Sequence, residues 1–494
     1  MSALIDILPD SILLEIFSSL SQKKLCHVAL VCKHWRCLAY DGSLWRSVKI
    51  HRLKPYHLNS LTERRLGRQL KQVVLWRCSI SNENLFYFAK ACPHLQEIIL
   101  RKNTLKLQRR NDLGKLCFPE LRVLDARDLQ GYVSHVLEMI AGAPKLEKLA
   151  IDGSMDGFFD YNVFRSTPEL RTLDCSRCMD VLDEGVAFLA QECPKLESLS
   201  LMRCYMIEGM TLPLLFQRCR AIKSLSLAYT HVTDNVLMSC DFDKCCLEEL
   251  DISHCPGVSS RSISYITSKL RNITYLNINS CNYGPHGIHR DILRNIACNK
   301  TLKVLNIDAV DGQDGADRDF VKISQHCKSL EVLRVNKAFA TLAGLQQCLR
   351  NLPFLKRFGI VNYRRDHLDT GLEVQYVLQA LATFSPKLEI LELSDFLDKE
   401  TSEKIEAFYR LMIRCAGLRK ISIFTLNRDI FVMAAQARMR AIRSDIRLVQ
   451  PTMICPTPRV VTTLPHRSFD QVVYSDTDKR IQDDDDPWIA RKYY

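Results

Sequence analysis

Cysteine is the residue type in this chain that could most readily do chemistry, and the 494 residues include 21 of them. Cys175 and Cys178 stand in the pattern C-x-x-C, and Cys245 and Cys246 are adjacent. A C-x-x-C pair can be half of a zinc site or a redox-active pair, although a four-ligand zinc site needs a second close pair. Whether these thiols are ligands or core residues therefore depends on the elements that position them.

One apolar pattern recurs along most of the chain. Phrases such as PELRTLDCSRC, PKLESLSLMRC and RNITYLNINSC each read apolar, two variable, apolar, one variable, apolar. The alternation at the fourth and sixth positions has the period of a strand with one buried face, and segments such as DEGVAFLAQEC have helical spacing. The sequence therefore predicts a solenoid of repeated strand, turn and helix. The first apolar residues of its fourteen units are Leu70, Leu95, Leu121, Leu146, Leu170, Leu196, Ile222, Leu247, Ile273, Leu302, Leu330, Leu355, Leu388 and Leu418.

The cysteines follow the same repeat. One set occupies the ninth position of a unit and a second set stands three residues before the first leucine. The two sets are Cys78, Cys178, Cys204, Cys255 and Cys281, then Cys92, Cys193, Cys219, Cys327 and Cys415. Repeat phase favours packing over metal binding for Cys175 and Cys178, because buried free cysteine behaves as a small hydrophobe. The same interpretation applies to Cys245 and Cys246, so we expect no metal site.

The units resemble the leucine-rich repeat in its cysteine-containing form, over roughly residues 66 to 430. The resemblance implies an α/β fold, a leucine-rich-repeat solenoid of about fourteen strand-helix units, with target binding on the concave strand face. Aromatic and arginine side chains are the usual interface anchors. The candidate target-binding residues are Trp76, Arg101, Arg127, Arg203, Tyr229, His254, Tyr275 and Arg334. Tyr229 and Tyr275 flanking His254 form the favoured cluster, and a solvated face without a hot spot is the alternative.

The stretch from residue 8 to residue 46 has more large apolar residues than so short a domain can bury. Helical spacing follows Pro9 and Asp10, and a second apolar set indicates one or two further helices. Leu8, Pro9, Leu13, Phe17 and Trp45 would then form an exposed apolar patch, which usually marks an interface.

The phrases LPDSILLEIFSSL, LCHVALVCKHW and SLWR resemble an F-box. That resemblance implies a small three-helix domain that docks on the adaptor subunit of an SCF, a cullin-RING ubiquitin ligase. The implied adaptor-binding residues are Leu8, Pro9, Ile12, Leu13, Ile16, Phe17, Leu20, Leu44 and Trp45. Packing of the domain onto the first repeat is the alternative, and it is favoured for Val28, Val31, Trp35 and Leu38.

An F-box followed by leucine-rich repeats resembles the substrate receptors of SCF ligases. The expected partners are the SCF adaptor, the cullin and RING subunits that it brings, and an unidentified protein substrate that is ubiquitinated and degraded by the proteasome. A scaffold for protein-protein interaction without degradation is the alternative function. We expect no catalytic residues and no cofactor, since the sequence has no glycine-rich phosphate loop and no Ser, His and Asp set apart from the repeat.

The distribution of charge and the first residues of the chain bear on nucleic-acid binding and on location in the cell. The formal net charge is +12, and residues 51–110 contain thirteen Lys or Arg against three Glu. A solvated basic surface is favoured there over a nuclear-localisation element or a nucleic-acid contact, so nucleic acid is not an expected partner. The first residues do not read as a secretory signal and no segment reads as a membrane span, which predicts reduced thiols in the cytoplasm, the nucleus or both.

The pattern divides the chain into four predicted parts. They are an F-box domain at residues 1–50, a basic connector at 51–69, the solenoid at 70–445 and a flexible, proline-containing and acidic tail at 446–494. The last part has no core-facing period, which is why we expect it to be flexible.

Overall fold

The repeat forms one long parallel sheet in a computed structural model, which describes residues 8–52, 54–64, 66–106, 115–131, 134–153, 160–281, 291–308, 316–336, 341–361, 372–394, 402–424, 443 and 445–449. Sixteen strands pair in chain order, and all fourteen predicted units contribute one of them. The predicted solenoid is confirmed. The sixteen strands are β1 Ser47–His51, β2 Gln72–Trp76, β4 Glu97–Ile99, β6 Val123–Asp125, β8 Lys148–Ala150, β9 Thr172–Asp174, β10 Ser198–Ser200, β11 Ser224–Ser226, β12 Glu249–Asp251, β13 Tyr275–Asn277, β14 Val304–Ile307, β15 Val332–Asn336, β16 Arg357–Val361, β17 Ile390–Ser394, β18 Lys420–Phe424 and β19 Arg447–Val449.

Three short strands make a second parallel sheet beside the first units. They are β3 Ser79–Ser81, β5 Thr104–Lys106 and β7 Gln130–Gly131.

Equivalent residues of successive units lie opposite one another. Leu199 pairs in register with Leu173 on one side and Leu225 on the other. All three are buried, as is Leu196 at the first position of its unit. The core is therefore a stack of the same leucine layer repeated from unit to unit.

Helices follow the strands and pack against one another in chain order. Val186, Leu189 and Ala190 are buried on one face of a helix, as the spacing predicts. The helices of the solenoid are α4 Pro55–Arg64, α5 Asn82–Ala91, α6 Ser134–Ala141, α7 Asp183–Glu192, α8 Leu212–Arg218, α9 Asp234–Ser239, α10 Ser260–Lys269, α11 Ile292–Ala297, α12 Ala316–His326, α13 Leu342–Asn351, α14 Val374–Phe384 and α15 Ser402–Arg414. Shorter 3-10 turns cover Tyr161–Ser166 and Phe242–Lys244.

The amino-terminal domain has the three predicted helices, α1 Asp10–Ser18, α2 Gln22–Val28 and α3 Lys33–Ala39, and then a 3-10 turn at Gly42–Trp45. Helix α1 begins directly after Pro9, whose fixed φ suits a helix start. Ser21 caps α2, because its hydroxyl accepts a hydrogen bond from the backbone N–H of Lys24.

The sheet extends past both predicted ends of the solenoid. Strand β1 crosses the predicted boundary at residue 50 and pairs with β2, so the helical domain leads straight into the sheet. Helix α4 lies in the predicted basic connector. Strand β19 lies in the predicted tail and pairs with β18. Val48 and Ile50 of β1 are buried, and this burial explains why the strand joins the sheet. The rest of the tail, from residue 450, lies outside the described residues.

Within the described part of the chain, none of the helices combines the length and the apolar character that a membrane crossing requires.

Candidate functional site

Helix α1 has one apolar side in the core and another in solvent. Leu13 and Phe17 are 1 % and 2 % exposed. Ile12 and Ile16, one helical turn apart, are 41 % and 42 % exposed, and Leu8 before the helix is 36 % exposed. Large aliphatic side chains in a row on a solvent-facing helix are typical of a docking surface. We call Leu8, Pro9, Ile12 and Ile16 the helix surface.

Part of the predicted adaptor-binding set is not on this surface. The prediction that Leu13, Phe17 and Trp45 are exposed was wrong, because all three are buried. Phe17 packs edge-on against Trp35 with ring centroids 5.4 Å apart, and the indole N–H of Trp45 donates to the carbonyl of Ala39 at 2.9 Å. These three residues support the helix surface from behind. Leu20 and Leu44 are half-buried, and Pro9 is exposed.

The sequence pattern did not indicate that two residues after α2 are exposed. Leu30 is 73 % and Val31 is 64 % exposed, although internal packing was favoured for Val31. That interpretation holds for Leu38, which is buried, and in part for Val28 and Trp35, which are half-buried. Helix α2 ends at Val28, so helical spacing no longer indicates the direction of residues 30 and 31.

A column of left-handed residues runs along the solenoid where each strand turns towards its helix. Their φ angles lie between 50° and 70° although none is glycine, a conformation that costs free energy for residues with a Cβ. They are Arg52, Arg77, Lys102, Asp128, Arg177, Arg203, Tyr229, His254 and Ser280.

Backbone hydrogen bonds hold this column in register. The N–H of Arg177 donates to the carbonyl of Met202 at 2.7 Å, and that of Arg203 donates to Ala228 at 2.8 Å. The N–H of His254 donates in the same way to Asn279 at 2.7 Å. Each bond reaches the residue just before the next left-handed position, so the side chains of the column stand one strand spacing apart.

Three members of the column stack on one another. The Arg203 guanidinium lies 4.9 Å from the ring centroid of Tyr229, and the rings of Tyr229 and His254 are parallel with centroids 4.0 Å apart. Burial lowers the pKa of His254 to about 4, and the charges of Arg334 and Arg203 act in the same direction. The imidazole is therefore neutral at pH 7, which suits its place beside two cations. Of the predicted target-binding residues, the structure brings these three together.

Three predicted arginine anchors are instead buried against carboxylates. Arg127 donates to Asp125 at 2.9 and 2.6 Å and to Asp174 at 3.0 Å. Burial alone would lower the pKa of Arg127, but the hydrogen bonds and charges of the two aspartates raise it. Arg101 lies 3.4 Å from Asp128.

Arg334 also connects charged residues across the concave face. Its Nε and Nη2 donate to Glu392 at 2.9 and 3.1 Å, two strands away, and it also contacts Asp308. Gly359 lies between the partners in register, and a Cβ there would come within 2.9 Å of Arg334 Cγ. The glycine thus leaves room for the ion pair. Positions five and seven of each unit lie on the same side of the sheet, so opposite charges at these positions of nearby units can pair. The Asp, Glu and Arg residues at these positions were the available signal in the sequence.

The other two predicted residues are apart from the stack. Tyr275 is only 4 % exposed, and its hydroxyl donates to Asp251 at 3.5 Å. The favoured cluster included Tyr275 with Tyr229 and His254. Tyr275 is instead buried in the sheet and is not a member of the left-handed column. Trp76 is half-buried near the amino-terminal end of the solenoid, with the Lys102 ammonium 5.7 Å from its ring.

Comparison with known proteins agrees with this architecture. The family model described as F-box-like matches residues 5–51. "F-box/LRR-repeat protein 12" of Bos taurus is 29 % identical over 110 residues, which are 20 % of this chain. The chain therefore has an F-box-like domain followed by a leucine-rich-repeat solenoid. The match spans 34 % of that curated relative's length.

Two similar chains among the solved structures both have TM-scores below 0.5. The structure titled "Crystal structure of Rad7 and Elc1 complex in yeast" has a TM-score of 0.45 at 17 % identity, covering 64 % of this chain and 84 % of the other. The structure titled "Crystal structure of TLR13-ssRNA13 complex" has a TM-score of 0.39 at 18 % identity, covering 78 % and 61 %.

The cysteines of this chain are part of the repeat. Cys204 and Cys255 each donate to a carbonyl of the preceding unit at 3.1 Å, and Cys281 does so at 2.9 Å. Burial raises the pKa of Cys193 to about 12, which keeps the thiol protonated. Among the residues that the structure describes, no group of three His, Cys, Asp or Glu side chains could hold a metal ion. Cys175 and Cys178 are buried as expected, whereas Cys246 is exposed.

Proposed function

We propose that this protein is the substrate-recognition subunit of an SCF-type, cullin-RING ubiquitin ligase. The observation that supports the proposal most is the helix surface on an F-box-like domain, where Leu8, Pro9, Ile12 and Ile16 are exposed. On this proposal the surface binds the SCF adaptor, which brings the cullin and RING subunits. The repeats then hold a target protein for ubiquitination and proteasomal degradation, in the cytoplasm or the nucleus.

The junction between the two parts fits this role. The carboxyl end of the F-box-like domain, strand β1, is hydrogen-bonded to the first repeat strand over five residue pairs. A target held on the solenoid is therefore held at a fixed distance from the adaptor. Fixed geometry raises the effective concentration of target lysines at a ubiquitin-charged enzyme, whereas a flexible link would dilute it.

Affinity purification with mass spectrometry tests adaptor binding. The variant Leu8→Ala with Pro9→Ala should lose the adaptor and the cullin and keep other partners, because truncating an interface anchor typically costs about 2 kcal/mol or more. Ile413→Ala is the matched control, since Ile413 is a 71 % exposed aliphatic residue on α15. Absence of the adaptor from the unmodified protein would show that the helical domain only caps the solenoid.

Degradation needs a separate test. Proteins that co-purify with both forms are candidate targets, and depletion of this protein should raise their half-lives. Unchanged half-lives with adaptor binding intact would favour a scaffold that assembles a complex without degrading its partner.

A further inference from the structure

A second exposed apolar surface lies on the loops that lead from strands β9 and β10 to helices α7 and α8. Met179 and Leu182 in the first loop are 45 % and 38 % exposed, and Met206 and Met210 in the second are 57 % and 65 % exposed. We call these four residues the rim surface. They account for four of the thirteen large apolar side chains found exposed among the described residues, and they lie in only two of the fourteen units.

Hydrogen bonds between the loops make this surface continuous. One Asp183 carboxylate oxygen accepts the backbone N–H groups of Glu208 at 3.0 Å and Gly209 at 3.2 Å. The Thr211 hydroxyl donates to the Asp183 carbonyl at 3.0 Å. The two loops are therefore held side by side, and their methionines and leucine form one patch.

Two arginines lie next to the rim surface in the sequence, Arg177 two residues before Met179 and Arg203 three residues before Met206. Arg177 and Arg203 are neighbours in the left-handed column, and each directly precedes a buried cysteine. Among the residues that the structure describes, neither has a carboxylate partner, in contrast with Arg101, Arg127 and Arg334. The Arg203 guanidinium stacks on Tyr229 and also forms a side-chain hydrogen bond with it. The same loops also carry two exposed acidic residues, Asp180 directly after Met179 and Glu208 two residues after Met206.

We infer that the rim surface, with Arg177 and Arg203, binds an acidic segment of a target protein that also carries large apolar residues. The inference rests on the proposed function, for which it names the chemistry of the target. Carboxylates of the segment pair with the two guanidinium groups, and its apolar side chains cover the methionines. Methionine adapts to different apolar shapes, and Arg recognises carboxylates with two hydrogen bonds.

The probe is a randomised peptide display library selected on the full chain bound to its adaptor, followed by synthetic labelled peptides from the selection. Selected peptides should combine Asp or Glu with large apolar residues. The Arg177→Glu and Arg203→Glu double variant should lose at least about tenfold in affinity, since two charge-assisted contacts are removed and repulsion replaces them. Met206→Ser with Met210→Ser should lose a similar factor.

Arg77→Glu with Lys102→Glu is the matched control. Both residues have the same left-handed conformation in the same column, but they belong to other units. Their replacement should leave the peptide affinity within about twofold of that of the unmodified protein. Any further loss should come from long-range electrostatic repulsion and disappear at high salt. Unchanged unfolding midpoints and unchanged adaptor binding show that each variant is folded.

Four results would overturn the inference. Selected peptides could be basic or neutral, or could bind the rim variants and the unmodified protein equally well. Phosphorylated peptides could bind while the same peptides with Asp or Glu at those positions do not, which would mean that the surface recognises phosphate and not carboxylate. Binding that improves in a chain shortened to residues 1–480 would assign the surface to the chain's own DDDDPW segment. The variants of the helix surface should leave peptide binding intact, so failure of the ligase proposal is separately visible.

Discussion

The helix surface and the rim surface are both exposed and apolar, but they are built differently. The helix surface is aliphatic, lies largely on one helix, and is supported from behind by buried Phe17 and Leu13. The rim surface consists mainly of methionines on two loops, beside guanidinium groups. A rigid aliphatic row suits one partner of fixed shape, whereas methionine and arginine on loops suit partners that vary. The difference fits the proposed function, in which the helix surface binds one adaptor and the rim surface binds exchangeable targets.

The largest expected effect is a loss of stability that distinguishes buried residues behind the helix surface from the exposed residues on it. Phe17→Ala should destabilise the F-box-like domain by about 3–5 kcal/mol, because it leaves a cavity beside Trp35. Ile12→Ala on the same helix should change stability by less than about 0.5 kcal/mol, since Ile12 is 41 % exposed. Native-state hydrogen exchange of α1 in the full chain measures both. Equal protection in the two variants would contradict the two-sided description of the helix.

A second prediction separates the arginines that are paired from those that border the rim surface. Arg127→Ala should cost about 3 kcal/mol, because Asp125 and Asp174 would be left buried without their partner. Arg177→Ala should cost less than about 0.5 kcal/mol, because it breaks no ion pair among the described residues. Hydrogen exchange of strands β6 to β9 measures the difference. A similar loss in both variants would mean that Arg177 is structural, and the rim surface would lose one of its two cations.

The third prediction compares variants of the two surfaces in two binding assays. Ile12→Glu with Ile16→Glu should weaken adaptor binding by about 2 kcal/mol or more, roughly thirtyfold, while the peptide affinity of the rim surface stays unchanged. Met206→Glu with Met210→Glu should do the reverse. Binding measured by calorimetry with purified adaptor and with a selected peptide gives all four values. Coupling between the assays would show that the two surfaces are not independent.

The sheet was predictable from the sequence because its signal is local and repeated. Leu196, Leu199 and Leu201 are buried for the reason that their spacing indicates, and the same spacing recurs in every unit. The direction of α1 was harder to predict. Ile12, Leu13, Ile16 and Phe17 are all large and apolar, so helical spacing alone does not show which pair faces solvent. That choice depends on where Trp35 and the rest of the domain pack, which is a tertiary effect.

The concave face shows the same limit. Repeat phase assigned Arg127, Arg203 and Arg334 to that face, but it did not indicate their partners. Arg334 reaches Glu392 across Gly359, and a sequence separation of 58 positions hides the contact. The left-handed column was also hidden, because none of its nine members is glycine. Hydrogen bonds from unit to unit stabilise that conformation, and a single unit does not contain them.

The smallest expected effect is a pH dependence that belongs to the stack beside the rim surface. The pKa of His254 is lowered from 6.5 to about 4 by burial first, then by Arg334 and Arg203. The unfolded chain therefore takes up a proton before the folded chain as pH falls, and stability present above pH 6.5 is lost progressively towards pH 4. Because His254 is partly exposed, we expect a loss of only about 1 kcal/mol between pH 7 and pH 5.

Urea unfolding of the unmodified protein and of His254→Gln at the two pH values isolates this effect. Glutamine keeps a polar side chain near Asn279, whose amide lies 3.4 Å from His254 Nε2, but it does not titrate. The variant should therefore lose less stability on acidification than the unmodified protein. Equal losses, with a His254 titration by nuclear magnetic resonance near the ordinary value, would mean that solvent enters the stack. Arg203 would then not be held against Tyr229, and the rim surface would resemble an ordinary solvated edge more than a prepared binding site.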